Sequence, residues 1–151
     1  MMKRKGFTLI ELLIVISIIG ILASIVLVGL GSFRARGRDA RRIADIRSIQ
    51  NALELYFTKQ STYPAGPAYS NMVTQITGAA IGISNIPNDP LTGRSYVYAP
   101  GSCAAGICLN YVVGALIEDS THEALNNDVD GTVYGVNCAD TAGSAVYCVE
   151  F

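Results

Sequence analysis

Residues 7–33 form an apolar run of 27 residues that carries a single charge, Glu11. At about 1.5 Å of rise per residue, a helix of that length reaches about 40 Å, enough to cross the roughly 30 Å hydrocarbon layer of a bilayer. The run is too long for the apolar part of an ordinary secretory signal. No small-x-small cleavage site follows it either, since Ile21-Leu22-Ala23 is a poor match. The segment therefore predicts a transmembrane helix, with Lys3, Arg4 and Lys5 holding its start on the cytoplasmic side. The arginines that follow Phe33 pull toward the opposite orientation. Asp39 and Asp45 do not offset them, because acidic residues weigh little in setting topology.

Glu11 is the anomaly. A carboxylate inside an apolar helix is costly in lipid and marks a functional position by default. The competing explanation is a side chain that snorkels to the membrane edge. Gly6-Phe7-Thr8-Leu9-Ile10-Glu11, preceded by Lys3-Arg4-Lys5, resembles the class III signal of type IV pilins and pseudopilins. The resemblance implies cleavage by a prepilin peptidase between Gly6 and Phe7, followed by methylation of Phe7. It implies a single-pass subunit of the cytoplasmic membrane, N-terminus inside, that later joins a cell-surface or periplasmic filament. The implied partners are copies of the chain itself, minor pilins or pseudopilins, the peptidase, an inner-membrane assembly platform and, before assembly, membrane lipid. Cutting ahead of the apolar run keeps the helix as an anchor and creates an amino group one turn from Glu11. An ion pair in an apolar bundle is a weak stabiliser but a good register device, because a misplaced subunit leaves a charge buried and unpaired. The chain departs from many pilins in having no proline within residues 24–30. Gly20, Gly29 and Gly31 each weaken the helix there by about 1 kcal/mol relative to alanine.

Helical spacing continues beyond the run. Ile43, Ile46, Ile49 or Gln50, Leu53 and Phe57 recur at intervals of three and four, with Arg41, Arg42, Asp45, Arg47, Ser48 and Glu54 on the other face. One helix over residues 8–59 is predicted, stopped ahead of Tyr63-Pro64. The domain reading is a leader at 1–6, a membrane and filament-core helix at 7–33, an amphipathic continuation at 34–59 and a globular head at 60–151. Residues 60–93 are punctuated by proline and glycine and predict loops with one short helix over 71–76. Pro87-Asn88-Asp89-Pro90-Leu91-Thr92-Gly93, leading into Ser95-Tyr96-Val97-Tyr98, resembles the segment before the sheet of type II secretion major pseudopilins. Further strands are expected over 110–117 and 145–149, with a turn over 101–106. The fold class is α+β, a long helix packed on a small antiparallel sheet, and the resemblance makes this the pilin fold.

Charge is divided along the chain. Residues 34–47 hold six arginines and two aspartates, whereas residues 60–151 hold one arginine and eight carboxylates. The basic stretch invites a nucleic-acid reading, but only Phe33 is at hand for base stacking, and a solvated stalk face facing acidic neighbours accounts for it better. Cys103, Cys108, Cys138 and Cys148 form an even set in the exported part, which favours disulfides. Of three possible pairings, Cys103–Cys108 with Cys138–Cys148 closes two short loops. Zinc is disfavoured, since there is no CxxC pair and one histidine.

Asn126-Asn127-Asp128-Val129-Asp130-Gly131 matches the start of a calcium loop, with oxygen ligands at alternate positions and a glycine for the turn. Asn126, Asp128 and Asp130 are the expected ligands. Asn137 stands where a closing glutamate would, and Glu118, Asp119 or Glu123 would contribute from outside. The alternative is a plain polar turn. His122 belongs to a loop, and no Ser-His-Asp, Cys-His or paired-carboxylate set and no phosphate-cradling loop can be assembled, so the expectation is a non-enzyme. The leading function is a structural subunit of a type IV pilus or type II secretion pseudopilus. The alternative is a membrane-tethered, calcium-dependent surface adhesin.

Overall fold

The computed structural model describes residues 7–141 and 143–151, with the backbone alone at 27–29. Lys3, Arg4, Lys5 and Gly6 lie outside the described residues. A single helix, α1, spans Leu9–Gln60. By its contacts the chain divides into two units, Met1–Ala35 and Arg36–Phe151.

In the first unit the described side chains are exposed and almost all apolar, from Phe7 to Phe33. The most apolar 18-residue window of α1 has a mean hydropathy of 3.0, and none of it is buried, so this helix has the length and composition to cross a membrane. Ser17 and Ser24 do not present free hydroxyls. Ser17 Oγ donates to the carbonyl of Leu13 at 2.8 Å and Ser24 Oγ to that of Gly20 at 2.8 Å, back-bonding that an apolar solvent favours.

The second unit comprises residues 36–60 of α1, a short helix α2 (Tyr69–Gly78), a 3₁₀ turn (Glu123–Asn127) and five strands. The strands are β1 (Val97–Ala104), β2 (Ile107–Ile117), β3 (Thr132–Val133), β4 (Val136–Asn137) and β5 (Ala145–Glu150). β1, β2 and β5 make an antiparallel sheet in the order β1-β2-β5, and β3 and β4 pair separately. The expected elements are present at 110–117 and 145–149, while α2 is longer than the predicted 71–76. One boundary differs more. Residues 101–104 are not part of a turn but continue β1, and Ala105-Gly106 alone turns the chain, both with positive φ, as a two-residue hairpin requires. Cys103 and Cys108 are therefore directly opposed across this hairpin, and they are disulfide-bonded.

Alternation along β2 divides the sheet into two faces. Tyr111, Val113 and Ala115 pack with Ile46, Ile49, Leu53 and Tyr56 of α1, whereas Val112 packs on the opposite side with Ala99, Cys138 and Cys148. Sequence spacing thus placed the apolar stripe of α1 correctly. The tyrosines in this core find acceptors for their hydroxyls: Tyr96 donates to Asp45 at 2.7 Å, Tyr98 to the Pro64 carbonyl at 2.8 Å, and Tyr63 to Glu54 at 3.0 Å. The β3–β4 hairpin sits against the sheet through Tyr134. Its ring lies where a Cβ at Gly101 would be, within 2.2 Å, so only glycine fits at 101.

The polar face of α1 requires correction. Arg42 was assigned to a solvated surface, yet both it and Asp39 are fully buried. The Arg42 guanidinium makes a two-pronged bond to Asp89 (2.7 and 2.9 Å) and also donates to Asp39 (2.8 Å) and Glu118 (2.6 Å). Arg38 makes a second two-pronged bond, to Glu118, at 2.8 and 2.6 Å. Asp39 in turn accepts from the backbone N–H groups of Glu118 and Asp119. These arginines consequently meet carboxylates of their own head, with no neighbouring chain needed. Planar guanidinium groups suit this task because they satisfy several carboxylate oxygens in fixed geometry.

Candidate functional site

Two places hold the residues singled out in the sequence. The first is the start of α1. Glu11 Oε2 accepts the backbone N–H of Thr8 at 2.8 Å and the Thr8 hydroxyl at 2.6 Å, and the Glu11 N–H donates back to Thr8 Oγ1 at 3.3 Å. This is a reciprocal capping box, with Thr8 at the cap and Glu11 three residues into the helix. Thr8 was missed as a functional partner, although the pattern Thr-x-x-Glu ahead of an apolar run was there to be read. Phe7, next to it, is 86% exposed.

The second place lies on the face of the sheet away from α1. Asp128, Asp130 and Asp140 each bring a carboxylate oxygen within 4.8 Å of the others. Asp128 follows the 3₁₀ turn and is fastened to β5: its Oδ2 accepts the Cys148 N–H at 2.8 Å, and the neighbouring Val129 N–H donates to the Cys148 carbonyl at 3.1 Å. Asp128 Oδ1 is enclosed and has no hydrogen-bond partner among the described residues. Burial raises the proton affinity of Asp128, opposed by the Cys148 N–H and reinforced by the charges of Asp140 and Asp130. Asp140 is shifted upward as well, by burial and then by Asp130. An enclosed oxygen lacking a donor, among carboxylates that repel one another, fits a hard divalent cation.

The expected ligand set is only partly assembled. Asp128 and Asp130 come together as read, but the third carboxylate is Asp140. It was overlooked because it is remote from the loop pattern in sequence. Asn126 is exposed in the 3₁₀ turn, and Asn137 uses its side chain to accept the Ala139 N–H at 3.1 Å. Glu118 is taken up by Arg38 and Arg42, and Asp119 by Arg36 and Thr121, so neither is the outside contributor. Glu123 begins the 3₁₀ turn, and His122 caps it by accepting the Ala124 N–H on Nδ1. Cys138 is disulfide-bonded to Cys148, as the short-loop pairing predicts.

A family model described as the prokaryotic N-terminal methylation motif matches residues 1–27. The chain is 34% identical to the type II secretion system core protein G of Vibrio cholerae over 110 residues, which is 67% of this chain and 75% of that protein. The chain belongs to the pilin and pseudopilin family. A second core protein G, from Aeromonas hydrophila, is 31% identical over 66% of this chain and 76% of its own length. The type IV major pilin protein PilA of Myxococcus xanthus is 36% identical over 70% of this chain, which spans 40% of PilA. No solved structure gives a significant match. Residues 9–27 of the matched motif lie in the exposed apolar part of α1, and the carboxylate cluster lies in the unit Arg36–Phe151.

Proposed function

We propose that this chain is a structural, non-catalytic subunit that polymerises through α1 after removal of residues 1–6. Residues 7–33 serve as membrane anchor and then filament core, residues 34–59 join that helix to the head, and residues 60–151 form the outer shell. The observation that carries the reading is the exposed apolar end of α1, bearing one carboxylate and preceded by a basic leader that matches the methylation motif. An apolar helix of this kind is stable only in lipid or against other apolar helices. The partners are accordingly other copies and minor pilins or pseudopilins, with the prepilin peptidase and the inner-membrane platform acting before assembly. Similarity across three quarters of core protein G, against two fifths of PilA, favours a secretion pseudopilus over a pilus. Intact-mass measurement of the exported protein tests the processing step. The expected chain begins at Phe7 and carries one extra methyl group. A chain beginning at Met1, or beyond residue 20, would overturn the reading.

The head carries a second, compatible reading: Asp128, Asp130 and Asp140 hold calcium. The enclosed, unpartnered Asp128 Oδ1 supports it. Calcium bound only by the folded head raises its melting temperature in proportion to the logarithm of calcium concentration, once above the dissociation constant. Asp128→Asn is expected to abolish that dependence. A wild-type melting temperature that ignores millimolar calcium would refute the site.

A further inference from the structure

We propose that Arg34, Arg36 and Arg41 bind the headgroups of anionic phospholipids where α1 leaves the membrane. This rests on the membrane-anchor reading above and names the lipid that the anchor selects.

Six arginines follow Phe33 within residues 34–47, and the fold sorts them. Arg42 is fully buried, and Arg38 is turned to the head by its two-pronged bond to Glu118. Arg34, Arg36, Arg41 and Arg47 are exposed. Arg36 keeps 67% of its side chain open. Its ion pair with Asp119 is a surface contact at 3.4 Å, and the other oxygen of Asp119 already takes the Thr121 N–H and hydroxyl. Arg41 keeps 68% open. Its Nε stands 3.9 Å from Asp45 Oδ2, too far for a hydrogen bond, and that oxygen accepts the Tyr96 hydroxyl at 2.7 Å. Exposed pairs of this kind hold a charge weakly, so both guanidinium groups remain available to another anion.

Position selects that anion. Arg34, Arg36 and Arg41 follow Phe33, the end of the apolar run, by one, three and eight positions. At about 1.5 Å per residue along α1 these steps amount to about 2, 5 and 12 Å, against a headgroup layer of about 5–8 Å on each side of the hydrocarbon. Helical side chains lean toward the N-terminus, here toward the bilayer, and arginine is long enough to reach back to its surface. Arg47, fourteen positions on, starts about 21 Å away and falls short. A lipid phosphate suits a guanidinium, which donates to two of its oxygens at once. Each arginine makes its own contact, so no fixed spacing among them is needed. Processing sharpens the effect. The leader carries Lys3, Arg4 and Lys5, and residues 7–33 hold no lysine or arginine, so in the cleaved chain the basic residues nearest the anchor are these three arginines. Cations at a membrane surface draw anionic lipid by about fivefold each, and salt screens them.

The experiment uses the full chain, cleaved by its peptidase and checked by mass to begin at Phe7, in phosphatidylcholine vesicles. A chain that does not float with these vesicles would overturn the membrane-anchor reading itself, separately from the lipid preference. For the inserted chain, electron spin resonance compares the binding of spin-labelled phosphatidylglycerol and spin-labelled phosphatidylcholine. The wild type is expected to prefer phosphatidylglycerol at least about fivefold, the contribution of one arginine at such a surface. The Arg34→Gln/Arg36→Gln/Arg41→Gln variant should lose that preference, and Arg47→Gln should keep it. Equal binding of the two lipids by the wild type would overturn the proposal and leave these arginines to the carboxylates of a neighbouring copy. A preference that survives in the triple variant, or that vanishes with Arg47→Gln, would overturn it as well. Should the triple variant fail to fold, the wild type decides. Molar sodium chloride is expected to bring its preference close to one, and no change there would count against the proposal decisively. Inorganic phosphate that displaces the lipid further than chloride at equal ionic strength would mark a free-phosphate site instead, and would also overturn it.

Discussion

Arg42→Ala is expected to destabilise the head by about 3–5 kcal/mol, the cost of removing one partner from a buried charge network. Domains of this size are stable by roughly 5–15 kcal/mol in total, so the loss should lower the melting temperature by tens of degrees or prevent folding. The reason lies in what remains. Asp39 and Asp89 are buried and Glu118 nearly so, and each directs at least one oxygen to Arg42. Arg42→Lys keeps the charge but cannot reproduce the two-pronged bond to Asp89 and the two further contacts, and should recover only part of the loss. Urea unfolding in micelles measures both variants. A change below about 1 kcal/mol for Arg42→Ala would show that the network merely breaks even with water.

The same network sets an acid limit. Glu118 is pulled down to about 2 by the Arg38 guanidinium, with burial opposing and Arg42 assisting. Burial works against ionisation of Asp89 too, yet Arg42 and the Leu91 N–H hold it below the ordinary carboxylate range. Both groups bind protons more weakly folded than unfolded. Their contribution is therefore complete above the unfolded pKa of about 4.5 and is lost as pH falls from there toward about 2. Stability should be flat near neutrality and fall steeply below about pH 4.5, with Glu118→Gln blunting the fall.

Glu11→Ala is expected to abolish filaments while leaving membrane insertion and head folding intact. Magnitude separates the two roles of this carboxylate. Its capping bonds with Thr8 are worth about 1 kcal/mol, too little to unravel a 52-residue helix. Loss of assembly must then come from the charge, which in lipid or in a bundle of apolar helices needs a positive partner. The amino group created at Phe7 is the proposed partner. Glu11→Gln distinguishes the roles, since glutamine can still cap the helix but cannot pair with an amine. Filament yield on shearing, measured against subunit in the membrane fraction, reads the outcome. Normal filaments with Glu11→Gln would reduce this residue to a helix cap.

What the amino-acid sequence alone determined is everything governed by local order: the apolar run and its single acid, the length of α1, the stripe Ile46, Ile49 and Leu53, and the β2 and β5 strands, whereas the choice among three cysteine pairings was settled by the fold. Periodicity, proline and turn chemistry act over a few residues, so they can be read directly. Tertiary structure decided where the charges go. Arg42 finds Asp89 and Glu118 at separations of 47 and 76 residues, and Asp140 completes a pair begun at Asp128, because folding sets these segments side by side. A guanidinium on a helix looks alike whether water or buried carboxylates will surround it. Only the packing of the head against α1 removes the water and so selects the partner.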